Sequence, residues 1–269
     1  AATLPSDYTF TAADAGVHTF TGLVLRTAGP RSVTATDTVL ASVTGTASVS
    51  VTAAAAASLA VAAPANATAG TSFSATVTAL DAYGNVATGY LGTVHFTSTD
   101  AAATLPADYA FTGADAGVHA FSGVTMKTSG ARSLTATDTV TAAVTGTSAA
   151  IAVSAGAAAS LSVAAPGSAG AGTPFTVTVT ARDAFANTAT GYGGTVHFTS
   201  TDPGAVLPAD YAFTAGDAGV HAFTNGVTLT SGSRTVTAPD TATSSVTGTT
   251  GTIVVAAFAL AFVSIASAT

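Results

Sequence analysis

An all-β chain of tandem two-layer sandwiches is predicted, on three observations. The sequence repeats itself with a period of about a hundred residues, its apolar residues alternate with threonine, and its composition is poor in helix formers. Charged residues make up 7% of the 269, against roughly 25% in an average soluble protein. All the acidic residues are Asp; Glu, Gln, Cys and Trp are absent, and Lys127 is the single lysine. β-Branched Thr and Val, with Ala, Ser and Gly, fill most of the remainder, which favours strands.

The repeat is read directly. LPSDYTFTAADAGVHTF, residues 4–20, returns at 105–121 and again at 207–223 with few changes. A second block, AGTSFSATVTALDAYGNVATGYLGTVHFTSTD at 69–100, returns at 171–202. This period exceeds that of solenoids and propeller blades and matches one complete β-sandwich per repeat. Within each repeat the strands follow from period-2 alternation. Phe175, Val177, Val179 and Ala181 face the core while Thr176, Thr178 and Thr180 face water, as do their counterparts around Phe73, Ala75, Val77 and Ala79. Val94 and Phe96, or Val196 and Phe198, mark the next strand. The segments Asp81–Asn85 and Asp183–Asn187 read as turns. Leu59–Val61 and Leu161–Val163 open a repeat; AGVH, Arg132–Asp138 and Ile151–Val153 supply later strands. About seven strands with turns between them suit an immunoglobulin-like Greek-key sandwich.

The domains expected are a partial repeat at 1–54 lacking its opening strands, complete repeats at 55–156 and 157–257, and the first strand of a further repeat at 258–269. The simplest reading of these ends is a window from a longer array. The alternative is strand exchange between copies, with Val263 and Ile265 as the donated strand. The alanine-rich joints at 53–57 and 155–159 are too short to hold a helix in water and read as extended, bend-restricting linkers.

The net charge of −7 excludes a basic nucleic-acid surface, and the absence of Cys excludes disulfides and thiol chemistry. The apolar run at 253–265 is shorter than a spanning helix needs, so membrane insertion is not expected.

In order, the pattern AGT-x-F, DA-x-GN, GY-x-GTVHFTSTD, LPADY and DAGVH-x-F resembles bacterial immunoglobulin-like repeats of large surface proteins. The turn and the Gly-x-His-x-Phe strand are also similar to filamin- and invasin-type repeats. The resemblance implies an extracellular or cell-surface protein whose repeats act as stalks, spacers or adhesive modules. It implies no catalytic residue. Ala186, standing where the other complete repeat has Gly84, departs from the turn pattern.

Few residues could carry chemistry. Alternation turns His95 and His197 outward, while His18, His119 and His221 share a face with phenylalanines. Asp100, Asp108 and Asp115, with Asp202, Asp210 and Asp217, lie in loop-rich stretches; as hard oxygen ligands they are the candidates for calcium, the one cofactor considered. Asp37, Asp138 and Asp240 read as strand-end turns, and Arg31, Arg132 and Arg234 as local partners of an Asp. Tyr90 and Tyr192, on the GY-x-G loops, are the aromatic candidates for stacking on a glycan. The expected function is thus a non-catalytic structural or adhesive segment. A self-assembling filament subunit and a carbohydrate-binding module stand as alternatives. The partners expected are neighbouring repeats and other copies of the chain.

Overall fold

The computed structural model describes residues 2–258. The strands Val263 and Ile265 were expected to donate therefore lie outside the described residues. Among the described residues the chain divides into two units by its contacts, one formed by 2–65, 72–125 and 131–151, the other by 66–71, 126–130 and 152–258.

In the first unit, strand Ser72–Leu80 is the middle of a three-stranded antiparallel sheet, between Ser58–Ala62 and Val118–Thr125. A four-stranded sheet places Thr145–Thr147, Leu134–Asp138, Thr93–Ser98 and Tyr109–Ala110 side by side in that order. Thr93–Ser98 pairs with the strand that follows it, Tyr109–Ala110, while the chain changes sheet from Ser72–Leu80 to Thr93–Ser98 and again from Tyr109–Ala110 to Val118–Thr125, as in a Greek key. The alternation explains the packing. Ala75, Val77 and Ala79 are buried, while Thr76 and Thr78 between them reach solvent. Across the sandwich, Phe96 meets Phe121 edge-on with ring centroids 4.7 Å apart, an arrangement favoured by aromatic quadrupoles.

One edge of the sandwich is drawn tight. A Cβ added to Gly146, in strand Thr145–Thr147, would collide with the main-chain carbonyl of Leu59 in the facing sheet. Gly248 stands in the same relation to Leu161 in the second unit. Only glycine fits at this approach.

The outward face of the same sheet is a threonine ladder. Thr135 lies opposite Thr97 on one side and Thr147 on the other, and the hydroxyls of Thr135 and Thr147 are 2.8 Å apart. Thr137 and Thr145 repeat the contact. Such cross-strand pairs hold a sheet with little charge.

The second unit repeats the plan. Strand Phe175–Arg182 pairs with Ser160–Ala164 and Val220–Val227; Val236–Pro239 pairs with Thr199–Ser200 and Thr247–Thr249. A single cluster including Val177, Val179, Val196, Phe198, Phe213 and Ile253 forms the core. Two parallel pairings complete it: Asn66, Ala67 and Thr68 with Ala152, Val153 and Ser154, and Ser168–Gly170 with Val254, Val255 and Ala256.

Residues 2–51 form the antiparallel hairpin Gly29–Thr36 with Thr44–Val51 and an irregular preceding segment. Phe10 and Phe20 are 54% and 44% exposed there, whereas their counterparts Phe111 and Phe121 are buried. Among the described residues no helix is long and apolar enough to cross a membrane.

Candidate functional site

The most elaborate polar construction is the turn read in the sequence as Asp-Ala-x-x-Asn. In the first unit Asp81 is buried, and its carboxylate accepts the N–H groups of Tyr83 and Asn85 and the side-chain amide of Asn85. Its other reach is to the linker, where the Ala54 N–H donates at 3.0 Å. The Asn85 amide contacts a remote segment: Oδ1 accepts from the Ala28 N–H at 2.8 Å, and Nδ2 donates to the Arg26 carbonyl at 2.7 Å. Arg26 also places its guanidinium 5.8 Å from the Tyr83 ring centroid, a cation–π contact.

The second unit builds the same device. Asp183 accepts from Phe185, Asn187 and the linker Gly156 N–H; Asn187 accepts from the Ser129 N–H at 2.9 Å and donates to the Lys127 carbonyl at 2.8 Å. The Phe185 ring lies against Gly70 with no room for a side chain at that position. Every polar atom of the two asparagine amides is thus matched, as burial requires. The Asn85 side chain, ahead of the surrounding N–H groups, holds the Asp81 carboxyl down to about 2. For Asp183 burial pushes upward, but the Asn187 amide and the N–H donors outweigh it and leave the group below its ordinary value.

A second construction recurs around the segments Thr11–His18, Thr112–His119 and Thr214–His221. The N–H and hydroxyl of Thr112 both donate to Asp115, closing a short 3-10 turn at Gly113–Asp115. The Tyr109 hydroxyl donates to the same carboxylate, and His119 Nδ1 lies 2.7 Å from it. The His119 ring stacks on Tyr109 at 3.9 Å. The backbone N–H of Thr112, then His119 and the Thr112 hydroxyl, hold Asp115 far below the usual carboxylate range. Asp217 is held likewise, and Asp14 down to about 2, chiefly by the Thr11 N–H.

The six candidate calcium aspartates are spent on such local bonds. Asp100 accepts from the Ala102 N–H, Asp108 pairs with His95 at 2.7 Å, and Asp115 closes its turn. Asp202 binds Gly204 and Thr230 with Arg234 at 3.9 Å, Asp210 pairs with His197 at 2.6 Å, and Asp217 closes its own turn. Among the described residues no three His or Asp side chains converge as metal ligands would.

Tyr90 and Tyr192 need correction. They were expected on the surface as stacking platforms. Instead Tyr90 is 9% exposed, and its hydroxyl donates to buried Asp138 at 2.6 Å; Tyr192 donates to Asp240 in the same way. Their rings pack edge-on to Phe111 and Phe213. Desolvation and the neighbouring carboxylate push both phenols up. The last glycine of each GY-x-G loop, Gly92 or Gly194, leaves the space that the tyrosine–aspartate pair fills. The motif is a corner brace, so Asp138 and Asp240 do more than end a strand.

Sequence reasoning missed Asn85 and Asn187 as anchors, reading them only as turn formers. The signal was their place at the end of both complete turns, unchanged where Gly84 gives way to Ala186.

Fold and geometry define a chain of immunoglobulin-like β-sandwich repeats. No family model matches the chain, and no curated protein does. Solved structures similar to it include the Escherichia coli adhesin FdeC, at 23% identity and a TM-score of 0.41, covering 78% of this chain and 68% of that one. Yersinia pseudotuberculosis InvD is similar at 22% identity and a TM-score of 0.33, covering 77% and 60%. The Yersinia pseudotuberculosis adhesin InvE follows at 19% and 0.32, covering 74% and 58%, so this chain spans under two thirds of the latter two. At such identities and scores the likeness carries no conclusion about activity.

Proposed function

We propose that the chain is a non-catalytic structural segment of an extracellular surface protein, a stalk or spacer of tied repeats. The observation that carries this reading is the Asn anchor. Asn85 and Asn187 each hold main-chain groups 57–60 residues earlier, and Asp81 and Asp183 hold the linkers at Ala54 and Gly156. Within each unit these bonds tie the turn to main chain far back in sequence and to the linker, the kind of local bracing a spacer requires. The polar groups with unusual ionisation are consumed in turns and braces, which supports a structural use of them.

The test compares the chain with N85A and N187A variants, using paired dyes on adjacent repeats and time-resolved energy transfer. A spacer held by these anchors gives a broader distance distribution in the variants, while each repeat still unfolds cooperatively. Equal distributions would remove the reading.

A further inference from the structure

Four asparagines occur in the chain, at 66, 85, 187 and 225. Asn85 and Asn187 have their amides fixed by three hydrogen bonds each. Asn66 is exposed in a strand and precedes Ala67. Asn225 is exposed like Asn66, and among the described residues no hydrogen bond reaches either side chain; unlike the other three, Asn225 precedes a glycine, Gly226, and has a left-handed backbone at φ +52°.

Its position is also an addition. In the first unit the bulge of strand Val118–Thr125 has two residues between Phe121 and Val124, which face Ala75 and Phe73. In the second, three residues separate Phe223 from Val227, which face Val177 and Phe175. The extra residue is Asn225, so the bulge there is longer and its tip is free of the ladder.

We propose that Asn225 is a site of spontaneous deamidation and isoaspartate formation. The main-chain nitrogen of Gly226, losing its proton, attacks Cγ of Asn225. The new N–Cγ bond forms, the Cγ–Nδ2 bond breaks, and Nδ2 leaves as ammonia with a proton, giving a succinimide. Water then opens either ring C–N bond, giving aspartate or isoaspartate. No oxidant, metal or enzyme is needed. Glycine at 226 offers no side chain to obstruct the attacking nitrogen, and an amide without hydrogen bonds is free to turn towards it. Asparagine is a thermolabile residue for this reason. The isoaspartate product places one additional carbon in the main chain two residues before Val227, whose side chain is fully buried. The pairing with Phe175 then loosens, and the third repeat acquires a chemical clock that the first two lack.

The test incubates the folded chain in mildly alkaline buffer and follows it by peptide mass mapping with isoaspartate-resolving fragmentation. The expected result is conversion at 225, with isoaspartate the major product, while 66, 85 and 187 keep their amides. N225Q, checked for native heat unfolding, should release no ammonia over the same period. If Asn225 keeps its amide as long as Asn66 does, or if Asn85 and Asn187 convert as fast, the assignment fails.

Discussion

The Tyr90 hydroxyl donates to the Asp138 carboxylate across 48 residues of sequence, and Gly92 supplies the space between them. The same three positions recur as Tyr192, Asp240 and Gly194. Asp138 also accepts the N–H groups of Val140 and Thr141, so one carboxylate ties a loop to a strand-end turn. Removing the hydroxyl in Y90F leaves a buried carboxylate oxygen short of a donor. Such a loss costs about 1–3 kcal/mol. Denaturant unfolding of Y90F should show a lower midpoint with an unchanged slope; an unchanged midpoint would mean that water replaces the phenol freely.

The tight edge of the sandwich yields a paired comparison. Gly146 touches the Leu59 carbonyl, whereas its counterpart Gly45 has nothing within 4 Å of a would-be Cβ. G146A should destabilise by about 1–3 kcal/mol, the usual cost of overpacking. G45A should leave the unfolding midpoint unmoved. Equal effects of the two substitutions would contradict the close approach.

Ala186 holds a left-handed backbone, φ +65°, at the position where Gly84 adopts +81°. An L-residue with a Cβ pays roughly 1–2 kcal/mol in that region. The turn survives the alanine because Asp183 and Asn187 hold it on both sides. A186G should therefore stabilise the second unit, by about 1 kcal/mol once the added freedom of the unfolded glycine is set against the relief. Heat unfolding measures the sign directly, and a fall in Tm would show that the alanine is unstrained.

Acid should unfold the chain through its aspartates. Asp14 and Asp81 are held at about 2, with Asp115 and Asp217 lower still, whereas an unfolded Asp titrates at about 4. A folded pKa below the unfolded one means that the unfolded chain takes up protons first. The stabilisation is present above the unfolded value and is lost as pH falls through the folded one. Tm should decline from about pH 4 towards pH 2. The D81N variant should decline less steeply, and a Tm flat across that range would refute the linkage.

Much of the fold was legible in residue order. The alternation of Phe175, Val177, Val179 and Ala181 with threonine describes a strand with one wet face, and the structure buries those four and leaves the threonines outward. The candidate site was less legible. Asn85 and Asn187 looked like turn formers because their decisive partners lie some sixty residues earlier. Tyr90 looked exposed because a Gly-flanked tyrosine in a loop gives no local sign of a buried aspartate waiting 48 residues on.

The sequence by itself determined the period, the strand faces, the low content of charge and the lack of cysteine, because side-chain alternation and composition are local properties. Tertiary structure alone decided which aspartate meets which tyrosine, which glycine touches a carbonyl and which asparagine grips a distant main chain. Those pairings depend on how two sheets close over one another, and distance along the chain carries no record of it.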